Sequence, residues 1–329
     1  MIRYILKRLL WMIPIIIAVT ILIFTLMYFV PGDFTSIVLG SNATQAQIEE
    51  FREAQGLNDP YFVQLGRYLK RLIIDHDFGN SYIYSTSVMD DLLERFPRTA
   101  ILAIGTMLVG VIFGVPLGIA AALNRNTWVD KLAMLVSMIG TAMPSFWAGL
   151  LLVLLFSLKL GWLPSQGMGG PQYYILPCLG MGIAGISGQC RQMRSSLLEV
   201  VRADYVTTAR SKGISEAKVL FKHELPNALI PTINALGGTF GMMLGATLVI
   251  ENVFSIPGIG AYMVSAIGNR DYPAVEGSVI FLAVIFALGM LIVDLAYAFV
   301  DPRIKAQYEA YGGKKKKKKT VEEENKDKE

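Results

Sequence analysis

Several stretches of this chain are apolar and uncharged over about twenty residues or more, and this feature constrains the fold more than any other. A helix needs roughly 20 apolar residues to cross the hydrocarbon core of a bilayer, and the backbone in that core must satisfy its own hydrogen bonds. The chain has 329 residues, of which 53% are hydrophobic and 17% charged, and its mean hydropathy is +0.47. The sequence therefore predicts an all-α protein embedded in a membrane.

Six apolar runs predict six transmembrane helices. They are Leu9–Val30, Thr99–Leu123, Leu132–Leu158, Tyr173–Gly188, Ala228–Ile250 and Val279–Val300. The fourth run is short and rich in glycine, so its pattern is the weakest. The first run follows Arg3, Lys7 and Arg8, as the apolar region of a signal peptide would. Because it is longer than such a region and no small-x-small cleavage site follows it, we interpret it as a membrane anchor.

The runs and the segments between them divide the chain into four parts. Residues 1–30 form an N-terminal transmembrane helix, and residues 31–98 form an extracytoplasmic loop with short amphipathic helices. Residues 99–308 form the core membrane domain, which includes a polar loop at 191–227. Residues 309–329 form a charged tail that contains Lys314–Lys319, and its composition predicts disorder.

The distribution of lysine and arginine predicts the orientation, because cytoplasmic loops of membrane proteins carry an excess of these residues. The N-terminus, the short segment 124–131 and the polar loop 191–227 are basic. The loop 31–98 instead holds ten acids against six bases. We therefore expect both termini and the loop 191–227 to face the cytoplasm, and the loop 31–98 to face outside.

The long loop 31–98 is expected to contain two helices. Thr44 with Gln47 three residues later has the pattern of a capping box and predicts a helix through Glu53 that stops near Gly56. Apolar residues at helical spacing predict a second, amphipathic helix from Tyr61 to about Ile74. Such a helix packs on the lipid surface, covers the membrane helices or receives a partner.

Small residues and prolines are frequent in the apolar runs. Two glycine series have four-residue spacing, Gly110, Gly114, Gly118 and Gly237, Gly241, Gly245, a spacing that lets helices approach closely in lipid. Pro116 and Pro144 are expected to break or kink their helices. Within the runs Asp294 is the exceptional acid, expected to pair with Arg303. Cys178 and Cys190 form neither a disulfide framework nor a zinc site.

A polar stretch interrupts the apolar pattern at residues 204–231, DYVTTARSKGISEAKVLFKHELPNALIP. Its first part predicts a helix from Asp204 to Lys212. Gly213 lies where a left-handed residue ends a helix. Ser215 is then the N-cap of a second helix that runs from Glu216 and ends ahead of Pro226.

This stretch resembles the EAA loop of membrane subunits in binding-protein-dependent ABC importers, whose pattern is E-A-A, three residues, G, nine residues, I-x-L-P. Gly213, Leu225 and Pro226 match it, and Ala209 matches the second alanine. The pattern differs at Thr207, Thr208 and His223. Other stretches, such as RYILKRLLWMIPIIIAVTILIF, FGNSY, ENVFSIPGIGAYMVSAI and YAFVDPRI, resemble the permeases of peptide, dipeptide, glutathione and nickel importers up to about residue 308.

The resemblance implies the fold of a type I ABC importer transmembrane domain, with a coupling helix between the fourth and fifth membrane helices that docks on a cytoplasmic ATPase. The residues it assigns to this coupling segment are Tyr205, Thr207, Thr208, Ala209, Arg210, Lys212, Gly213, Ile214, His223, Leu225 and Pro226. Small Ala209 would allow a flush fit to the ATPase, and Arg210 and Lys212 would meet acids on it.

The implied partners are a second, homologous permease, two ATPases, an external binding protein and the lipid bilayer of a prokaryotic cytoplasmic membrane, with no nucleic acid. The chain itself would bind no cofactor and catalyse no reaction, since it lacks the G-x-x-x-x-G-K-[ST] pattern and its partners would hydrolyse ATP. Peptides are the expected cargo, and nickel chelates and glutathione remain alternatives. A redox or hydrolytic membrane enzyme lacks converging ligands or nucleophiles in the sequence, whereas a receptor or scaffold without ATPase dependence remains open.

Overall fold

A computed structural model of the protein describes residues 2–30, 35–40 and 43–300. Within these ranges the chain forms thirteen α-helices: α1 (Ile2–Phe29), α2 (Thr35–Leu39), α3 (Gln45–Gln55), α4 (Tyr61–Ile73), α5 (Val88–Leu123), α6 (Trp128–Ala142), α7 (Ser145–Leu152), α8 (Gln172–Val200), α9 (Asp204–Ser211), α10 (Glu216–Val219), α11 (Leu225–Val253), α12 (Ile259–Gly268) and α13 (Tyr272–Val300). The predicted tail 309–329, the side chain of Asp294 and its expected partner Arg303 lie outside the described residues.

Among the described residues, four helical stretches are long and apolar enough to cross a membrane: Ile5–Phe29, Val88–Leu123, Glu216–Val253 and Tyr272–Val293. A fifth candidate is α6 followed by Ser145–Lys159, which bend by 106° at the junction. The break expected at Pro144 is confirmed there, because proline removes a backbone donor and its ring clashes within a helix. The predicted all-α membrane fold is thus confirmed.

The predicted fourth crossing, Tyr173–Gly188, lies in α8, which has 29 residues. At a rise of about 1.5 Å per residue such a helix is long enough to span a bilayer. It is less apolar than the other candidates, because its second half carries charged side chains such as Arg191 and Arg194. A crossing by α8 therefore stays a prediction, and so does the total of six.

The first glycine series packs α5 closely against α8. A β-carbon placed on Gly114 would lie 2.6 Å from the carbonyl oxygen of Ile186, and one on Gly118 would lie 2.5 Å from that of Cys190. These are backbone atoms that a side chain could not displace cheaply. The glycine spacing thus sets the approach of two helices, as expected from the sequence. Pro116 does not interrupt α5, which is continuous from Val88.

The two helices expected in the long loop are present. The Thr44 hydroxyl accepts the Gln47 N–H at 3.4 Å, the Gln47 side chain accepts the Thr44 N–H at 2.9 Å, and α3 ends at Gly56 with φ +64°. Helix α4 buries Tyr68 against α1 and α13, so it covers membrane helices. The predicted boundary at residue 98 falls inside α5, which begins at Val88.

A buried carboxylate joins three helices at the end of α11. Glu251 is fully buried and accepts a hydrogen bond from the Thr99 hydroxyl of α5 at 2.6 Å and from the Ala261 N–H of α12 at 3.0 Å. The Thr99 hydroxyl in turn accepts the Ile259 N–H at 2.9 Å. A carboxylate at a helix N-terminus is favoured by the unpaired N–H groups and by the helix dipole. The Thr99–Glu251 link therefore fixes the start of α12.

Candidate functional site

The polar stretch that interrupts the apolar pattern folds as a helix, a turn and a second helix between α8 and α11. Helix α9 ends at Ser211, and Gly213 follows with φ +74°. The Gly213 N–H donates to the Arg210 carbonyl at 2.9 Å. Only a residue without a β-carbon adopts this backbone conformation at little cost. The left-handed residue expected at Gly213 is confirmed.

The second helix begins after Ser215, as expected, although the Ser215 side chain makes no capping hydrogen bond. The prediction that this helix ends ahead of Pro226 is wrong, because it continues from Glu216 to Val253. A π-helical segment, Leu220–Glu224, precedes the proline, and the Leu225 N–H donates to the Leu220 carbonyl five residues back. The wider π turn rearranges the carbonyls that a proline would otherwise disrupt.

A small apolar cluster holds the two helices together. Val206, Ala209 and Val219 are buried in it, and Ile214 packs against them. Ala209 is only 6% exposed. Its side chain therefore contacts its own chain, and the flush fit to a partner that the resemblance implied stays a prediction. The small side chain lets α9 approach α10.

Arg210 forms ion pairs within the segment. Its Nη2 lies 2.9 Å from Oε1 of Glu224, and its Nε lies 3.1 Å from Oε1 of Glu216. Glu224 is 2% exposed, whereas the Glu216 side chain is 73% exposed. The hydrogen bonds to Glu216 raise the pKa of Arg210. The resemblance implied that Arg210 meets acids on a partner; here it meets acids of its own chain and ties α9 to the base of α11.

The other predicted residues divide into an exposed and a half-buried group. Exposed are Tyr205, Thr207, Thr208, Lys212, Gly213 and Pro226; half-buried are Ile214, His223 and Leu225. A β-carbon on Gly213 would meet no heavy atom within 4 Å. We call Thr207, Thr208, Lys212 and Gly213 the open face of α9. Phe221, which the sequence analysis did not single out, is 70% exposed in the same segment.

The base of this segment is packed into the helix bundle. Leu220 and Leu225 contact a core cluster that contains Ala122 of α5 and Met193 of α8. Ala228, at the start of α11, is fully buried in the same cluster. The segment therefore presents an open face on one side and is fixed to three long helices on the other. This arrangement suits a surface that binds a partner and passes a displacement to the bundle.

Comparison with known protein families identifies the family to which this chain belongs. The profile described as "Binding-protein-dependent transport system inner membrane component" matches residues 114–306, and its N-terminal counterpart matches residues 1–103. The chain belongs to this family. Membership confirms the family that the sequence resemblance indicated, and the EAA-like stretch lies within the matched range 114–306.

Individual relatives agree with the family. The chain is 40% identical over 305 residues to the glutathione transport system permease protein GsiC of Salmonella paratyphi A and 39% identical to that of Escherichia coli K12. Each comparison covers 93% of this chain and 99% of the relative. The chain is therefore a multi-pass inner-membrane permease subunit of an ABC importer, in the oligopeptide, dipeptide and glutathione group.

The fold agrees with a solved transporter. An inward-facing structure of the MetNI methionine ABC transporter matches with a TM-score of 0.54 and 19% identity, over 65% of this chain and 97% of that one. At this identity the likeness establishes the fold alone. It confirms the type I importer transmembrane architecture that the sequence resemblance implied.

Glu224 belongs to the site but was not predicted from the sequence. Glu224 lies 14 residues after Arg210, so no local spacing connects the two side chains. The signal in the sequence is only an acid directly before Leu225, near the basic residues Lys218 and Lys222. Its burial and its pairing appear once α9 folds back on the π-helical segment.

Proposed function

We propose that this chain forms half of the translocation pathway of an importer for short peptides, and that the open face of α9 docks on a cytoplasmic ATPase. The observation that carries the proposal is Gly213. Its conformation favours glycine, and a β-carbon there would meet no heavy atom within 4 Å, so the tight turn leaves room for another protein. Arg210 ties α9 to Glu216 of α10 and to Glu224 at the end of the π-helical segment before α11, so a push on this face would reach α11.

The remaining subunits follow from the family. A second, homologous permease would complete the pathway, two ATPases would bind and hydrolyse ATP, and an external binding protein would deliver the cargo. Closure of the ATPases would move the two coupling segments and open the pathway alternately to each side. In this arrangement the open face, the N-terminus and the C-terminus lie in the cytoplasm, which agrees with the basic residues near them.

Short peptides are the proposed cargo, and glutathione is the specific alternative. Glutathione is a modified tripeptide, and the relatives that match over nearly the whole chain are named as glutathione permeases. Both cargoes therefore belong to one chemical class of small zwitterionic amides. Nickel chelates, which similar permeases carry, are the less favoured alternative.

A crosslinking experiment tests the ATPase contact. The native Cys178 and Cys190 are buried, so an introduced surface cysteine is the main thiol that a reagent reaches. Ser211→Cys, on exposed α9, is expected to crosslink to the ATPase in membranes of cells that express the whole transporter. Glu53→Cys, on exposed α3, is the control and should not. Equal crosslinking of both variants, or none at Ser211→Cys, would contradict the coupling role.

An uptake experiment tests the cargo. The complete transporter with its binding protein, in proteoliposomes that contain ATP, should accumulate a labelled dipeptide or tripeptide. Unlabelled glutathione should compete if it shares the pathway. ATP-dependent accumulation of a nickel chelate without any peptide uptake would overturn the peptide assignment while leaving the transporter assignment intact.

A further inference from the structure

A cavity of about 430 Å³ lies between the end of α1, the helices α3 and α4, and the start of α13. It is remote from the coupling segment, and the transport mechanism above does not use it. Three arginines, Arg52, Arg67 and Arg71, line it together with Glu276, the one acid among its described lining residues. A guanidinium and a carboxylate that line the same cavity suit a ligand that carries both an anionic and a cationic group.

Two polar groups in the cavity lack a well-formed hydrogen bond among the described residues. The Nε of Arg71 is buried without an acceptor, and the hydroxyl of Tyr68, a side chain that is 5% exposed, faces Glu276 without bonding to it in good geometry. The Arg71 guanidinium carbon lies 5.7 Å from the Tyr68 ring centroid, and a β-carbon on Gly79 would lie 3.4 Å from the guanidinium. The Nε–H of Arg71 is thus held in place without an acceptor, and an unpaired buried donor is unfavourable. A ligand with acceptor oxygens would satisfy that donor.

Arg67, a second arginine at this cavity, differs from Arg71 because it has an ion-pair partner. Its Nη2 lies 2.5 Å from Oδ2 of Asp59, so its charge is already balanced. No such carboxylate lies within ion-pair distance of Arg71 in the part of the chain that the structure describes. Arg71 interacts with Glu276 electrostatically but has no directly bonded carboxylate, so its N–H groups can still bind the oxygens of a ligand.

The position of the cavity indicates the source of that ligand. The cavity is lined by residues at the end of the first membrane span, among them Met27 and Tyr28, and by Tyr272, Pro273 and Glu276 at the start of the last one, so it lies at a membrane boundary. Helix α4 beside it and the residue that follows the helix have exposed apolar side chains, with Phe62 81%, Ile73 53% and Ile74 64% exposed. Exposed apolar side chains on an amphipathic helix at this level are typical of contact with lipid.

We propose that this cavity binds the headgroup of a zwitterionic phospholipid of the phosphatidylethanolamine type. The phosphate oxygens accept hydrogen bonds from Arg71 and from the Tyr68 hydroxyl, since a guanidinium matches the geometry of a phosphate. The carboxylate of Glu276, which is 7% exposed, receives the ammonium group. The acyl chains extend along the exposed side of α1 below α4.

The test is native mass spectrometry of the transporter complex released from cell membranes in mild detergent. The wild type is expected to retain phosphatidylethanolamine. Arg71→Gln should lower the retention roughly ten-fold, the loss of about one charge-assisted hydrogen bond. Lys70→Gln is the matched control: it removes the same charge from the adjacent, exposed residue of α4, which does not line the cavity, and should retain lipid as the wild type does.

Further arms separate the sources of phosphate and guard against misfolding. The delipidated complex should regain lipid from phosphatidylethanolamine vesicles in preference to phosphatidylglycerol vesicles, and inorganic phosphate alone should not prevent this. If Arg71→Gln does not assemble, Tyr68→Phe removes only one hydroxyl and should still lower the retention a few-fold. Equal lipid retention by the wild type and the cavity variants, binding of inorganic phosphate or peptide instead of lipid, or no preference between the two lipids would overturn the proposal.

Discussion

Two buried glutamates, Glu224 and Glu251, lie towards opposite ends of the helix that runs from Glu216 to Val253. Each has a glycine nearby, and the two glycines differ in what a side chain at their position would meet. Near Glu224, Gly213 is required for its backbone angle, and a β-carbon there would meet nothing within 4 Å. Near Glu251, Gly260 is required for space, because a β-carbon would lie 2.5 Å from the Cα of Leu248. The end at Glu251, which we call the closed end, is therefore packed tightly against its own chain, whereas the end at Glu224 leaves an exposed surface.

The two glutamates are also satisfied in different ways. Glu251 accepts hydrogen bonds from a hydroxyl and a backbone N–H within the fold, whereas Glu224 depends on Arg210, whose side chain is 36% exposed. We infer that the closed end sets the fixed architecture of α5, α11 and α12. At the other end, the Arg210–Glu224 ion pair fixes the backbone beside the surface on which we propose that a second protein docks.

The largest effect is expected at the closed end. Gly260→Ala should prevent most of the protein from folding, because overpacking against backbone costs about 3 kcal/mol or more. Fluorescence-detected size-exclusion chromatography of the tagged chain would measure the folded fraction. Gly268→Ala, in the same helix α12 but with no atom within 4 Å of the added carbon, is the control. A normal elution profile for Gly260→Ala would contradict the close approach of α12 to α11.

At the other end, Gly213→Asp should leave the amount of membrane protein nearly unchanged and reduce ATP-dependent uptake more than ten-fold. The positive φ costs about 1 kcal/mol, and the added charged side chain occupies the space where we propose that the ATPase docks.

The matched control for this variant is Gly161→Asp. Gly161 has φ +64° and no atom within 4 Å of an added β-carbon, so the backbone strain and the added charge are the same at a place remote from the open face. Uptake assays of both variants at equal protein level decide the outcome. Loss of uptake in both variants, or in neither, would show that the effect is not specific to the open face of α9, and would contradict docking of the ATPase there.

A smaller effect is expected for the ion pair. Arg210→Gln leaves the buried Glu224 carboxylate without its counter-charge and should destabilise the protein by about 2 kcal/mol. Glu224→Gln, which keeps an acceptor for Arg210 and removes the buried charge, should cost less, and the double variant should recover part of the loss. Thermal unfolding midpoints of the purified complex measure all three. Strictly additive effects would mean that the two residues do not act as a pair.

The smallest effect is expected for Glu216→Gln. The Glu216 side chain is 73% exposed, and exposed ion pairs contribute about 0–1 kcal/mol. The unfolding midpoint should therefore shift by less than that of Arg210→Gln, and high salt should remove the difference from wild type. A shift as large as that of Arg210→Gln would assign the strength of the link to the exposed acid instead of the buried one.

Local features of this protein were predictable because neighbouring residues decide them. The apolar runs, the capping box of Thr44 and Gln47, and the left-handed glycine at 213 depend on residues within a few positions of one another. The break at Pro144 follows from the covalent chemistry of proline. By contrast, the helix end expected ahead of Pro226 is absent, because the adjacent π-helical segment lets the helix continue.

The amino-acid sequence by itself determined the all-α membrane class, the family and the position of the polar segment that we propose for coupling. Only the tertiary structure decided which side chains of that segment are available: Ala209 is buried, Arg210 is paired with Glu224, and the open face of α9 remains exposed. It also decided that Thr99 meets Glu251 across 152 positions. The reason is physical: burial and charge pairing depend on which helices become neighbours. The spacing of residues along the sequence does not specify which helices these are.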